Sequence, residues 1–495
     1  MTQTVAPVTP LTVAQVTIQA PIKLQPLWKN FTYFPHQVEG IKWMLEKENG
    51  TQVPGRDNVN VTIRGGFQCD DMGLGKTIQI ASVMINNPCS TLIIAPLAMI
   101  ETWSSVLSRT GCSVYEVVNK NWEFVNKSKP VSRRKRPDVY ITNYEKLYHN
   151  PSLFYKEWGR VVLDEAHKIR NGDSDVARCA RKIVAPIRWV VTGTPLVNSV
   201  KDIVSLLSFV GVPCSPLWRW ELRYTRILPD ILIHRALDSV DIKEAPPKPE
   251  IYDMVLPFIT EKEKEFYHGV QGATESMILK YSNDILSSAQ TFVLLMRLRQ
   301  ISVHPQVYIN AKRKERGYKR DDWTGPSTKL EKMKEIIMDD VGIHKYIIFC
   351  QFHDEMAIIN EFLHPFVNNI LQYSGSMNQK ERTDVLNKSK KSTEKTVLLL
   401  QLQAGGVGLN LQEYDRIIFV SPWWTSALMD QAIARAVRIG QKEIVKVYHL
   451  RLLAENDSTI NIDELISSKA EMKREELEKI FEMCALPLDS LAPLA

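Results

Sequence analysis

The eight residues Asp70-Asp71-Met72-Gly73-Leu74-Gly75-Lys76-Thr77 place a lysine and a hydroxyl directly behind two glycines. That order suits a phosphate. A glycine turn and the first turn of a helix present backbone N–H groups to an anion. A lysine at this point reaches the β- and γ-phosphates of a nucleotide, and the threonine hydroxyl beside it can hold Mg²⁺. The usual form of such a loop opens with glycine, and Asp70 stands in that place. A Gly-Lys-Thr triplet alone fits a surface turn entering a helix equally well. The flanks favour the loop: Phe67–Asp71 reads as strand-like, and beyond Lys76 the residues Ile78, Ala81, Ser82 and Ile85 share one helical stripe.

A second group is the pair Asp164-Glu165, which closes the apolar run Val161-Val162-Leu163. One carboxylate to bind Mg²⁺ and a neighbour to orient or deprotonate water suit phosphoanhydride hydrolysis. A solvated acidic turn explains the pair as well when it is taken by itself. Its place on the third predicted strand after a phosphate loop weighs toward chemistry. The third group is Gln431, Arg435 and Arg438, spaced i, i+4 and i+7 on one face of a helix predicted over Thr425–Val437. Two arginines on a helix face are usually solvated or salt-bridged. Here Ala432, Ile433, Ala434, Ala436 and Val437 make the remainder apolar, so the helix is expected inside, where cations need anionic partners. Nucleotide phosphates held by the first half of the chain would supply them.

These groups need rigid elements behind them. Short apolar, β-branched runs occur at Thr91–Ala95, Val139–Thr142, Val161–Leu163 and Trp189–Thr192. A second set follows at Tyr346–Cys350, Thr396–Leu400, Arg416–Val420 and Val445–Leu450. Stretches of helical spacing such as Glu355–Phe362 lie between them, the pattern of a parallel sheet covered on both faces. The pattern occurs twice, which predicts two α/β domains. Between the halves, Glu244–Glu250 reads as an extended connector because consecutive prolines cannot continue a helix. Residues 259–302 read as mostly helical, Lys312–Arg320 is a basic run, and Ile462–Phe481 carries helical charge pairs.

At 495 residues the chain exceeds one hydrophobic core, which agrees with two or three domains. A net charge of +6 permits a polyanion partner without requiring one. Seven dispersed cysteines with no C-x-x-C pair argue against a disulfide framework, a zinc finger or a RING insert, and for a reduced compartment. No apolar run is long enough to span a bilayer, and no membrane role is expected. The 10 histidines show no metal-ligand spacing; His167, behind the acidic pair, reads as a coupling residue. The first 26 residues, with four prolines and no acidic residue, read as a poorly ordered arm.

The ordered segments "DDMGLGKT", "LIIAPLAMIETW", "YITNYE", "VVLDEAHKIRN", "VVTGTPLVNS", "LLMRLRQISVHP", "KYIIFCQF", "AGGVGLNL" and "QAIARAVRIGQ" resemble those of Swi/Snf-type ATPases. This is the chromatin-remodeler branch of the superfamily-2 helicase-like proteins, and the resemblance covers roughly residues 31–455. Asp70 in place of glycine is that family's form of the loop. The resemblance implies two tandem RecA-like, doubly wound α/β domains with an inserted helical region. It divides the chain into an arm 1–27, an ATP-binding domain 28–240, a helical insertion and linker 241–325, a helicase-type domain 326–455 and a C-terminal helix 456–495. It implies ATP and Mg²⁺ as ligands, with Gln37 recognising adenine and Asp71, Met72, Gly73, Leu74, Gly75, Lys76 and Thr77 forming the phosphate loop. Thr77 and Asp164 would hold the metal and Glu165 the water. Arg435 and Arg438 match the arginine fingers and Gln431 the glutamine beside them. Thr192, Gly193 and Thr194 match the segment coupling hydrolysis to DNA, Gly405, Gly406 and Gly408 a loop near nucleotide and DNA, and Trp424 a DNA-facing tryptophan.

The "PWW" segment is most similar to the branch containing repair-associated ATPases with a RING insertion and a transcription-termination ATPase, yet no RING is present here. Gln401 and Leu402 replace hydroxyl residues frequent among relatives, and His234 replaces a frequent arginine. The expected function is ATP-dependent translocation on double-stranded DNA, remodeling or displacing bound proteins such as nucleosomes or a DNA-bound polymerase. A strand-separating helicase and a non-catalytic DNA clamp are the rivals. The expected compartment is a nucleus or a viral DNA replication compartment. "SRRKRP" (Ser132–Pro137) and Lys312–Arg320 read equally as phosphate contacts, localisation signals or solvated loops.

Overall fold

A computed structural model describes residues 23–484 apart from 56–58, 119–120, 126–136, 151, 196–199, 214–219, 241–244, 282–287, 316, 403–408, 439 and 454–460. Two sheets organise the chain. The first runs, edge to edge, Leu232–Ile233, Gly65–Gln68, Ile187–Val191, Arg160–Asp164, Thr91–Ala95, Asp138–Asn143, Ser113–Val118 and Asn121–Phe124. Every neighbouring pair is parallel except the last, which is an antiparallel hairpin.

Successive strand residues point to opposite faces, so a strand that is apolar throughout must be covered twice. Leu92, Ile94, Val161 and Leu163 face helices Asp175–Lys182, Val200–Val210 and Trp220–Ile231. Ile93, Ala95, Val162 and Val191 face helices Pro35–Asn49, Lys76–Asn86 and Ile100–Thr110. The second sheet runs Glu250–Leu256, Lys446–Leu452, Arg416–Phe419, Lys345–Cys350, Thr396–Gln401 and Asn369–Tyr373, all parallel. Tyr346, Ile348, Val397 and Leu399 face helices Thr328–Asp339 and His353–Leu363, while Ile347, Phe349, Leu398 and Leu400 face the side carrying helix Ser426–Ile433. Two doubly wound RecA-like domains result, as the alternation predicts.

Four observations refine the sequence reading. Strand Glu250–Leu256 belongs to the second sheet although it lies in the stretch expected as linker and helical insertion. Its side chains are mostly exposed, so no apolar run announces it. The helix predicted over Thr425–Val437 ends at Ile433. Beyond it Arg435 N–H bonds the Ala432 carbonyl at 3.2 Å and Ala436 N–H the Ile433 carbonyl at 3.0 Å, a tighter turn. Meanwhile the Arg435 carbonyl accepts from Leu411 N–H at 3.0 Å, which draws the chain off the helix axis. Gln431, Arg435 and Arg438 therefore do not share one helical face. Residues 1–22 of the expected arm lie outside the described residues, but Leu27 is buried in the first domain and Gln25 N–H bonds the Asn86 side chain. In the basic run Lys312–Arg320, of which residue 316 lies outside the described residues, Arg313 pairs with Asp322 at 2.6 Å, Lys312 with Glu315, and the Arg320 guanidinium lies 3.7 Å over the Phe266 ring.

Helices Glu261–Tyr281, Ser288–Val303 and Pro305–Arg313 form the insertion. The last helix, Ile462–Cys484, packs its start (Ile462, Ile466) against the insertion and its end (Ile480, Cys484) into the first domain's core. Among the described residues no helix is long and apolar enough to cross a membrane, and no group of three or more His, Cys, Asp or Glu is placed to hold a metal.

Candidate nucleotide site

The phosphate loop runs from the end of strand Gly65–Gln68 to the start of helix Lys76–Asn86. Gly73 and Gly75 have φ of 94° and 76°, the left-handed region where glycine is unstrained. Gly75 has a second reason to lack a side chain, since a Cβ there would stand 2.6 Å from Gln37 Nε2. The Lys76 ammonium donates to the backbone carbonyls of Asp70 at 2.7 Å and Asp71 at 3.2 Å. Thr77 sits on the first helical turn beside it. Gly193 lies over the same ammonium; a Cβ there would be 3.7 Å from Lys76 Nζ.

The missing first glycine has a structural answer. The Asp70 side chain is fully buried. Its carboxylate accepts from Arg235 Nε at 3.0 Å, Arg235 Nη2 at 2.5 Å, Gln68 Nε2 at 2.7 Å and Gln79 Nε2 at 3.0 Å. Beside it, Asp71 accepts from Leu237 N–H at 2.9 Å, and the His234 ring lies 3.4 Å away, stacked face to face on Phe481. Burial would raise the Asp71 carboxyl, but His234 and Leu237 outweigh it and hold the group below its usual range. The departure at His234 thus leaves a side chain that bridges the loop and the last helix.

Gln37 is buried and already engaged. Its Oε1 accepts from Phe34 N–H at 3.1 Å and its Nε2 donates to the Leu74 carbonyl at 3.5 Å. The neighbouring His36 ring donates to the same carbonyl at 3.1 Å, a contact the sequence did not announce. Burial lowers the His36 pKa, so the ring is neutral near pH 7.

Asp164 ends strand Arg160–Asp164, separated from the loop's strand by Ile187–Val191. Its carboxylate accepts from Trp103 Nε1 at 2.8 Å and from Glu165 N–H at 3.0 Å, and its carbonyl from the Tyr144 hydroxyl at 2.7 Å. Glu165 has φ of 49°, left-handed without being glycine, a strain held by its surroundings. Burial, reinforced by the Glu165 charge, pushes the Asp164 carboxyl up to about 6. Burial acts on Glu165 in the same direction, but the His167 ring, Arg435 and Lys76 together outweigh it and hold that carboxyl low.

The second domain reaches this site at two points. Gln431 Nε2 donates to Thr194 Oγ1 at 3.2 Å, and Arg435 Nη2 lies 4.0 Å from Glu165 Oε1 with both side chains buried. Thr194 is positioned by its N–H bond to Thr192 Oγ1, and Thr192 by its N–H bond to the Gln68 carbonyl. Arg438 is half-buried in the turn after Arg435. Trp423 is core, whereas Trp424 is partly exposed and packs on the helical insertion, with the Arg299 guanidinium 5.8 Å from its ring. Gln401 Oε1 accepts from Gly375 N–H at 3.1 Å and Leu402 is buried, so the positions without hydroxyls are filled by other contacts. Gly405, Gly406 and Gly408, and Ser132–Lys135 with Arg136, lie outside the described residues.

The model for the SNF2-related domain matches residues 36–307, and that for the helicase conserved C-terminal domain matches residues 328–440. A protein of Orgyia pseudotsugata multicapsid polyhedrosis virus, named a probable global transactivator, is 26% identical over 92% of this chain and 93% of its own length. The chromodomain-helicase-DNA-binding protein 1-like of Danio rerio is 26% identical over 90% of this chain and 44% of its own. The SWI/SNF-related matrix-associated actin-dependent regulator of chromatin subfamily A member 1 of Mus musculus is 26% identical over 88% of this chain and 42% of its own. The chain thus spans nearly all of the viral relative and under half of the animal ones. Among solved structures, the Sulfolobus solfataricus SWI2/SNF2 ATPase core in complex with dsDNA aligns over 93% of this chain and 99% of that one, at 21% identity and a TM-score of 0.37.

Proposed function

The chain belongs to the SNF2-related family, a DNA-dependent ATPase with a helicase-type C-terminal domain, and on that premise we propose that it is an ATP-driven translocase on double-stranded DNA. The observation that carries the reading is the cross-domain pairing of Gln431 with Thr194 and Arg435 with Glu165. It joins the second domain to the hydrolytic carboxylate and to the Thr192–Thr194 segment at once, so a change at the nucleotide is felt as a change in domain spacing.

In this reading Lys76 holds the β- and γ-phosphates, and Gln37 reads adenine by exchanging its contact with Leu74 for the base. Thr77 and Asp164 would hold Mg²⁺. Both offer oxygen, the ligand this ion takes, and Asp164 presents its carboxylate from the buried end of its strand. The ion, when bound, neutralises charge on the phosphate oxygens. Glu165, kept ionised, orients and deprotonates the attacking water. Arg435 and Arg438 stabilise charge developing on the γ-phosphoryl, an effect worth roughly 10³–10⁵ in rate in related enzymes. Phosphate-backbone contacts would make DNA binding sequence-tolerant and salt-sensitive.

The viral relative named a transactivator and the animal relative named a regulator of chromatin support DNA-bound proteins as what the motor moves; nucleosomes and a DNA-bound polymerase are the candidates this reading puts to the test. The same relatives support a nucleus or a viral replication compartment as the place. The deciding experiment measures ATPase stimulation side by side with single-stranded DNA, duplex DNA, nucleosomes and RNA. Duplex DNA should stimulate more than single strands. Greatest stimulation by RNA would overturn the substrate assignment.

A further inference from the structure

We propose that Arg235 is a positioning residue for the phosphate loop, acting through the buried Asp70 carboxylate that replaces the loop's first glycine; this rests on the nucleotide reading above. A carboxylate with no exposure is costly unless it is paired and hydrogen-bonded. Arg235 supplies the fork, Nε to Oδ1 at 3.0 Å and Nη2 to Oδ2 at 2.5 Å. Gln79 extends the clamp: its Oε1 accepts from Arg235 Nη2 at 3.0 Å, and its Nε2 reaches both Asp70 Oδ2 and the Leu74 carbonyl. Arg235 Nη1 also donates to the His36 carbonyl. One guanidinium thereby ties the first and fifth residues of the loop to the helix that carries Gln37.

The backbone repeats the arrangement. Cys69 N–H donates to the Ile233 carbonyl at 2.8 Å and Asp71 N–H to the Arg235 carbonyl at 3.0 Å, so residues 233–235 run beside the loop as an extra edge. Those pairings fix the Asp70 and Asp71 carbonyls to which the Lys76 ammonium is bonded. Room for the guanidinium comes from Gly40, where a Cβ would stand 2.4 Å from Arg235 Nη2 and 2.2 Å from Gln79 Oε1. Helices tolerate glycine poorly, so its presence in the middle of Pro35–Asn49 is accounted for by the clamp. The segment carrying Arg235 is also the one by which the chain leaves the first domain toward strand Glu250–Leu256.

The test uses the full chain with two variants. Arg235→Lys keeps the charge and loses the fork; Gly40→Ala pushes on the clamp from the other side. Titration with fluorescent ATP and ADP analogues should show binding weakened about tenfold or more in Arg235→Lys, because ammonium cannot reproduce bidentate geometry. The KM for ATP should rise more than kcat falls, and DNA binding without nucleotide and the melting temperature should stay near the parent values. Gly40→Ala should move in the same direction. Unchanged nucleotide affinity in both variants overturns the clamp, and so does loss of cooperative melting together with DNA binding, which would assign Arg235 to the fold alone. If the parent chain fails to bind the analogues, or Lys76→Ala binds them equally well, the nucleotide reading falls instead.

Discussion

Arg435 of the second domain and Glu165 of the first meet at 4.0 Å in a buried cleft, a charge relationship that joins the two halves of the candidate hydrolytic site. The Arg435 charge joins His167 and Lys76 in holding the buried Glu165 carboxyl low, while burial lowers the Arg435 guanidinium despite Glu165 and Asp164. Arg435→Ala should retain ATP binding and lose most of kcat, by roughly 10³ or more, since the arginine acts on transition-state charge. Parallel measurement of nucleotide affinity and single-turnover hydrolysis checks this. Collapsed affinity with a preserved rate would make Arg435 a ground-state clamp.

A buried ion pair holds the first domain's elements in register. Arg160, at the head of the strand that ends in Asp164, bonds both Glu48 oxygens at 2.6 Å, and Trp189 Nε1 donates to Glu48 at 2.9 Å. Glu48 lies near the end of the helix that begins beside Gln37. Glu48→Ala would leave Arg160 buried without its counter-charge, a change worth about 3–5 kcal/mol. Denaturant unfolding should show that loss, and a double variant, Glu48→Leu with Arg160→Met, should lose much less. A cost below about 1 kcal/mol for Glu48→Ala would mean that water enters the site.

What the sequence makes legible follows burial. Strands such as Thr91–Ala95 and Thr396–Gln401 are apolar on both faces and stand out in one dimension. Glu250–Leu256 is exposed on its outer side and reads as linker, although its whole length pairs with Lys446–Leu452. Lys76, Asp164 and Glu165 stand out as candidates because local spacing suits them to phosphate and metal chemistry. The Asp70–Arg235 pair is not, because its members are 165 residues apart and only the fold brings them together. The turn at Arg435 was hidden for a related reason. Helical spacing continues through Val437 in sequence, while the hydrogen bond from Leu411 that bends the chain is long-range.

Glu355 gives a pH-dependent stability with a defined sign. It lies in the first turn of helix His353–Leu363, where Oε2 accepts from the N–H groups of Gln351 and Phe352 while Oε1 is buried without a hydrogen bond. Burial is the largest influence and pushes its carboxyl up to about 7, against the backbone bonds, Lys329 and Arg299. The folded state therefore binds this proton more tightly than the unfolded chain, whose carboxyl titrates near 4.5. Its contribution is fully present below that unfolded value and is lost as pH rises through about 7. Glu355→Gln, which keeps an acceptor oxygen, should stabilise the chain by about 1–3 kcal/mol at pH 8. The gain should vanish near pH 4.5. Thermal melts of both proteins across that range decide it; a pH-independent difference would mean that the carboxyl is not the cause.

Membership of the SNF2-related family favours movement along a duplex whose strands stay paired. Stepping needs only successive phosphate contacts, whereas unwinding must also offset roughly 0.6–2.2 kcal/mol of stacking per base-pair step. That extra work requires a wedge between the strands. A hairpin is one form of wedge, and two among the described residues have their strands fastened down, their turns at 56–58 and 119–120 lying outside the described residues. In Thr51–Pro54 with Asn60–Ile63, Val53 and Ile63 are buried in the first domain's core, and Ser113–Val118 with Asn121–Phe124 is paired into the first sheet. With ATP, the protein should displace a third strand from triplex DNA and leave a forked duplex intact, with both substrates in one buffer and Lys76→Ala as the inactive control. Efficient ATP-dependent separation of the fork would move the assignment to a strand-separating helicase, with one of those hairpins, released from its domain, as the first place to look for the wedge.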